Sequence, residues 1–396
     1  MTVRDELKRS IIAGVDRRKD DLLKLSLRIH SNPEVAFREE KAAAWLSEVL
    51  EGEGFSVERG ICQIPTAFRA SFGQGEPRVA FLAEYDALPG LGHGCGHNII
   101  GTASLAAGLA AKEIVAQTSG SVLVIGTPAE EAAGGKVYMA ARGAFDGLDC
   151  AMLAHPGNRD AVITHALACL ELDVEFFGKA AHAAARPEAG VNALDAMIIA
   201  FSSLGMLRQQ LRDSARLHGI ITDGGQAVNV IPHHTAASLL LRARDDSYLE
   251  EIKEKVLSCF LAAAQASGCR LEYRWGEESR YKAMRTNLAL AEAYQRNIES
   301  IGRRIAEPEA RPAVGSTDMG NVSAIVPAIH PTVAIAPPEF PIHTVEFREI
   351  AASEAGHQGL IDSAKALAMT AVDVLTNADL RRRMAEEFKN ESATAP

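Results

Sequence analysis

The chain has 396 residues, 47% hydrophobic and 23% charged, the balance of a soluble globular protein with ample material for a large core. At roughly 100–200 residues per domain this length suggests two or three domains, and it excludes a disordered body. With 41 basic and 51 acidic residues the formal charge is −10, which leaves no general electrostatic footprint for nucleic acid or an anionic membrane.

No apolar run is long enough to span a membrane without a charge. The best candidate, residues 99–116, is interrupted by Lys112 and Glu113. The charged start MTVRDELKRS lacks a secretory apolar region. Six cysteines with no CxxC pair make no disulfide framework, so a reducing, cytoplasmic location is expected.

From residue 4 to about 54, apolar positions at helical spacing predict two helices, divided at Asn32-Pro33 and ending at Gly52 and Gly54. Then the period changes. Residues 78–85 (RVAFLAEY), 121–127 (SVLVIGT) and 149–155 (DCAMLAH) are short apolar runs of buried-strand type. A small-residue helix at 98–117 separates the first two, and a helix-compatible segment at 136–142 separates the second and third. This alternation predicts an α/β domain with a mostly parallel sheet. From Leu170 the texture shifts to strict alternation (LELDVEF), a strand with one wet face. Helices at 192–212 and 248–266, with strands at 217–222, 236–244 and 269–275, complete a βαββαβ order, the split βαβ unit of ferredoxin-like folds. An α+β domain is therefore expected at 168–278, inserted between the two halves of the α/β domain, 1–167 and 279–396. Beyond it come a helix at 287–301, a strand at 331–336, a long helix at 351–375 and a fraying tail.

In open α/β sheets, ligands bind beyond the carboxyl ends of the strands. Here strand 78–85 runs into Asp86 and LPGLGHGCGHN, strand 121–127 into Glu130-Glu131, strand 149–154 into His155, and strand 331–336 into a segment holding His343. Singly these residues read blandly: a buried thiol, satisfied histidines, an acidic pair favoured by a helix dipole. Jointly, Cys95, His97, Glu131, His155 and His343 make a ligand set for Zn, Mn, Co or Ni, and two ions bridged by a thiolate would use all five. The glycines around them permit close backbone approach. On the alternating strand LLLRAR, Arg242 and Arg244 share a face, which suits either a solvated or dimer-interface surface or a bidentate carboxylate clamp.

The series HSNPEVAF, DALPGLGHGCGHN, TPAEEAAGG, GKAAHAAARPEAGVNAL, GGQAVNVIP, GSTDMGN and IHTVEF resembles the M20 metallopeptidase family. It is most similar to the amidohydrolase branch that includes aminobenzoyl-glutamate, N-acyl-amino-acid and auxin-conjugate hydrolases. The resemblance implies a zinc-exopeptidase-like catalytic domain with a mixed sheet and an inserted ferredoxin-like lid or dimerisation domain. It also implies two divalent transition metals per subunit, Mn or Zn with Co or Ni possible, held by Cys95, His97, Glu131, His155 and His343. In the same way it implies Glu130 as general base, Asp86 orienting a ligand imidazole, and His182 reaching the active site of the other subunit of a homodimer. Asn229 and Arg242 match residues that hold a substrate carboxylate, with Gly315 and Ser316 lining the pocket.

The chain departs from the family pattern at two positions. Glu84 stands where relatives with a more usual dinuclear site carry a ligand histidine, and CGHN ends in Asn98 where CGHD is commoner. The implied activity is hydrolysis of the amide bond of an N-acyl or N-aroyl amino acid or a similar small conjugate, without nucleic acid or membrane. The alternatives are a dipeptidase, an aryl-amine hydrolase and a non-catalytic metal-binding scaffold.

Overall fold

A computed structural model describes residues 2–132, 134–307 and 315–394. It divides into two compact units, Met1–His165 with Met284–Pro396, and Ala166–Ala283. The second unit keeps residues 279–283, which the sequence assigned to the catalytic domain. Tyr281 forms a bridge with Cys169, Gly276 N–H donates to Glu171, and Arg280 pairs with Glu250, so the segment packs on the inserted sheet.

In the first unit the strands are β1 (Ser56–Arg59), β2 (Phe68–Gln74), β3 (Arg78–Ala83), β4 (Gly120–Gly126), β5 (Cys150–Met152) and β6 (His155–Gly157). The second unit holds β7 (Ala168–Phe177), β8 (Arg216–Asp223), β9 (His234–Ala243) and β10 (Arg270–Trp275). The chain then returns to the first unit through β11 (Ala328–Ile329) and β12 (Thr332–Ala334). The main sheet has the order β1-β2-β4-β3-β5-β11. Strands β4, β3, β5 and β11 are parallel, whereas β2 and β1 add an antiparallel edge and make the sheet mixed.

Both faces of this sheet are covered, which is why its central strands read as unbroken apolar runs. Val79, Phe81 and Val124 pack under the helices His97–Val115 and Glu354–Thr376, while Ala80, Leu82 and Ile125 pack with Phe145, Met139 and Met319 on the opposite face. The β1–β2 edge has no counterpart in the sequence reading, because SVER and FRASFGQ are short, polar and half exposed.

Three further elements differ from expectation. The first helix divides at Arg18 as well, giving Val3–Arg17 and Lys19–His30. The strand expected at 331–336 is shortened to β12, which pairs with β6, and an unexpected strand, β11, precedes it and joins the main sheet; Pro331, between them, cannot donate to a ladder. The tail expected to fray is helical over Ala378–Thr394, and the Glu387 carboxylate caps the helix Leu288–Ser300 by accepting from Leu288 and Ala289 N–H at 2.5 and 3.0 Å.

The second unit is a four-stranded antiparallel sheet of order β10-β7-β9-β8. Leu170, Leu172, Val174 and Phe176 of β7 face the helices Ala193–Arg208 and Asp246–Ser267 and form its core. Asn192 and Asp245 cap those helices through the amides of Leu194 and Tyr248. Among the described residues, no helix is long and apolar enough to cross a membrane.

Candidate metal centre

Strand β3 ends at Ala83 and delivers Glu84 and Asp86, both buried. The chain then loops to Gly96, whose φ of 78° opens the helix carrying His97. A Cβ at Gly96 would lie 2.5 Å from Pro156 Cγ, so this approach to the His155 strand requires glycine. Beyond β4, Ala129 takes a φ of 63° just before Glu130 and Glu131. His343, φ 68°, is held by its own amide, which donates to Gly94 O at 2.8 Å. That bond ties the last ligand segment to the cysteine loop.

These residues converge. Cys95, His97 and His155 offer ligand atoms within 4.8 Å of one another, and so do Cys95, Glu131 and His343, and His97, Glu130 and Glu131. His155 Nε2 lies 3.3 Å from Cys95 Sγ while its Nδ1 faces Pro156 O at 2.6 Å. His97 Nδ1 meets Asp86 Oδ1 at 2.9 Å. This network assigns the proton of each imidazole to Nδ1 and turns both Nε2 lone pairs into the cluster. Asp86 does a second job, since its Oδ2 accepts from the Glu131 amide at 2.9 Å. His343 Nε2 lies 3.3 Å from Glu131 Oε2.

Two atoms test whether the set fits a metal. His97 Nε2 and Glu131 Oε1 are buried and have no hydrogen-bond partner. A buried polar atom left so costs about 1–3 kcal/mol, and a cation between them satisfies both. The donor types, one thiol, three imidazoles and a carboxylate, suit a borderline transition metal. Burial pushes the Cys95 thiol up, so a cation is also what would hold it as thiolate. Against burial, the hydrogen bond with His343 holds Glu131 down to about 2.

One neighbouring group escaped the sequence reading. Lys136 is fully buried, with Nζ 2.6 Å from Glu84 Oε1 and 2.7 Å from Asp318 Oδ1, and its amide donates to Asp318 Oδ2 at 2.9 Å. Burial disfavours its charge, but Asp318, Glu84 and Glu130 outweigh that and raise its pKa. Glu84, two positions before Asp86, thus pairs with an internal ammonium, while its Oε2 lies 3.7 Å from His97 Nε2. Burial, Asp318 and Glu84 raise the proton affinity of Glu130 well above that of an ordinary carboxylate. A buried lysine beside a run of glycines was the available signal. It could not be used without knowing that Asp318 folds over it.

The remaining predicted residues behave differently. His182 is exposed in the second unit, its Nδ1 accepting from the amides of Ala184 and Ala185 at 3.2 and 3.1 Å, which leaves Nε2–H as a donor. It bridges to Val230, next to the exposed Asn229, so these two lie on adjoining segments. Arg242 sits on β9 opposite Cys169 and Arg216. Gly315 is exposed and Ser316 partly buried, just before Asp318.

Strand ends that bring a thiol, imidazoles and paired glutamates together at a mixed α/β sheet define a metal-dependent hydrolase. The sequence model of peptidase family M20/M25/M40 matches residues 80–351, and the chain belongs to that family. It is 40% identical to the Xaa-Arg dipeptidase of Mus musculus, over 97% of this chain and 92% of that protein. It is 29% identical to one of the subunits of p-aminobenzoyl-glutamate hydrolase of Escherichia coli, over 99% of this chain and 96% of that protein. Among solved structures, a dinuclear metal-binding peptidase of the M20 family from Bacillus subtilis superposes with a TM-score of 0.72 at 18% identity, over 91% of this chain and 99% of that one. The protein is an enzyme that hydrolyses amide bonds with a divalent metal.

Proposed function

We propose that the enzyme cleaves the amide of an N-acyl or N-aroyl amino acid, or of a similar small conjugate, with Glu130 as general base. The observation that carries this reading is the pair of ligand triads sharing Cys95, with Glu130 beside His97 and Glu131. Two ions per chain, Mn or Zn with Co or Ni as alternatives, fit those triads: Cys95, His97 and His155 for one, Cys95, Glu131 and His343 for the other. Lys136 pairs with Glu84 and Asp318, whereas the Asp86 and Glu131 carboxylates lie with the imidazoles of His97 and His343, an acidic surplus that divalent cations would balance.

Ions held there would lower the pKa of water to about 7 and would polarise the scissile carbonyl. Glu130 accepts a proton from the attacking water and passes it to the departing amine. Asp86 holds His97 and the Glu131 amide in register. His182, contributed by the second subunit of a homodimer, offers Nε2–H to the oxyanion. Asn229 and Arg242 hold the substrate carboxylate, and Gly315 and Ser316 line the pocket. Substrates of this kind fit the cytoplasm.

A dipeptide substrate is the second reading, favoured by the 40% identity to an Xaa-Arg dipeptidase. A panel of N-acetyl, N-benzoyl and aminobenzoyl amino acids set against dipeptides with arginine or other C-terminal residues separates the two. Glu130→Gln should keep two metal ions per chain by elemental analysis and lose about 10²–10⁴ in kcat. Near-normal turnover removes Glu130 as the base, and protein that takes up no transition metal removes the whole assignment.

A further inference from the structure

Phe37 and Ala129, neither of them glycine, hold positive φ, at 60° and 63°. The left-handed region is disfavoured for residues with a Cβ, and it persists only where the surroundings enforce it. Both amides donate to one atom, Glu39 Oε1, each at 2.9 Å. Glu39 has no exposed surface, and burial pushes its carboxyl up to about 7.

Glu39 directly precedes the helix Glu40–Gly52 but does not cap it. That role falls to Glu34, whose Oε2 accepts from the Lys41 and Ala42 amides at 2.9 and 3.1 Å. The Glu39 carboxylate is turned instead toward the end of β4. There the Ala129 carbonyl accepts from Gly135 N–H at 3.1 Å, and a Cβ on Gly135 would lie 1.8 Å from Pro128 O. The Glu131 amide is held by Asp86. The turn that carries the two glutamates is thus fixed at three backbone atoms, and Glu39 holds the first of them.

We propose that Glu39 is a positioning residue of the reaction: by gathering the Phe37 and Ala129 amides on one oxygen, it fixes the left-handed turn from which Glu130 and Glu131 bring their carboxylates to within 4.8 Å of each other beside His97. The inference rests on the reading of Glu130 as base and Glu131 as metal ligand. It concerns the segment 30–40, whose HSNPEVAF motif has no other part in the chemistry.

The test compares Glu39→Gln, Glu39→Asp and Glu39→Ala in the full chain loaded with Co(II), using the substrate chosen by the panel above. Glu39→Gln keeps an acceptor oxygen in place and should hold kcat within about threefold of wild type, with unchanged visible Co(II) bands. Glu39→Asp draws the acceptor back and Glu39→Ala removes it. Both should lower kcat at least about tenfold with KM within about twofold, and both should shift the Co(II) bands as Glu131 turns. A purely structural role would lower the melting temperature without moving the bands. Wild-type kcat and bands in folded Glu39→Asp overturn the proposal. So does a Glu39→Gln enzyme as impaired as Glu39→Ala, because the charge and not the acceptor position would then matter. If Glu39→Ala does not fold, the Asp and Gln variants decide. Failure of the base assignment is seen separately, as near-normal turnover in Glu130→Gln, and leaves the Co(II) comparison intact.

Discussion

His93, buried two residues before Cys95, shows how the cost of the site is distributed over single side chains. Burial pushes its imidazole down to about 3. In the unfolded chain a histidine titrates near 6.5, so between those values unfolding takes up a proton. The stability His93 contributes is fully present above pH 6.5 and is lost as pH falls toward 3. His93→Phe, which keeps a ring and removes the titration, should therefore close or reverse its stability gap to wild type by about 1.4 kcal/mol per pH unit across that window. Urea unfolding of both proteins at pH 7, 6 and 5 checks the slope, and parallel curves defeat it. The residues that converge on the centre were legible in the sequence because each follows an apolar strand, where a side chain is delivered to a sheet edge. Lys136 and Glu39 were not, nor was the pairing of Glu84 with Lys136. Their burial is decided by partners such as Asp318 and Ala129, and no local pattern reports those pairings.

At the level of elements, the helix His97–Val115 is buried along nearly its whole length between the main sheet and the helix Glu354–Thr376. Its small residues are what allow this. A Cβ at Gly108 would lie 2.3 Å from Val124 Cγ2, and one at Gly101 2.8 Å from Glu84 O. Gly108→Ala gains helix propensity, yet it must press the helix off β4. A net loss of about 1–3 kcal/mol in urea unfolding is expected, and a stabilised variant would show that the contact is soft. Parallel strands and their helices were readable from period and length. The β1–β2 edge was not, since an edge strand needs no continuous apolar run. The split of residues 328–334 into β11 and β12 turned on Pro331, a residue whose meaning depends on which ladder it interrupts.

At the level of the whole molecule, the second unit leaves Ile198, Ile199 and Met206 of one helix and Ile220 and Ile221 of edge strand β8 exposed. An unpaired strand edge beside an apolar helix face is a surface that pairing with a second copy would cover. If such pairing brings His182 of one chain to the centre of another, inactive Glu130→Gln and His182→Ala proteins should recover activity when mixed. A random hybrid population holds one intact site per mixed dimer, so recovery of roughly a quarter of wild-type activity is expected. No recovery, with subunit exchange confirmed by mass-tagged chains, rules out catalysis across subunits. The βαββαβ order of this unit was readable from sequence because its central strands β7 and β9 alternate between buried and open positions and its helices are far longer than its strands. Its C-terminal boundary was not, because residues 279–283 are held by the Cys169–Tyr281 bridge and not by any pattern of their own.

The first unit is made of two stretches of chain separated by the second, and of the residues that converge on the centre Cys95, His97, Glu131 and His155 lie in the first stretch while His343 lies in the last. During synthesis the ribosome must therefore pass the entire second unit before His343 emerges, an interval of roughly ten to forty seconds at 5–20 residues per second. The second unit is continuous and can fold on emergence. Over that interval Cys95 waits as an open thiol without His343 and without the helix Glu354–Thr376 that packs on the helix His97–Val115 following it. The nascent chain thus exposes to oxidation a thiol that the finished fold buries.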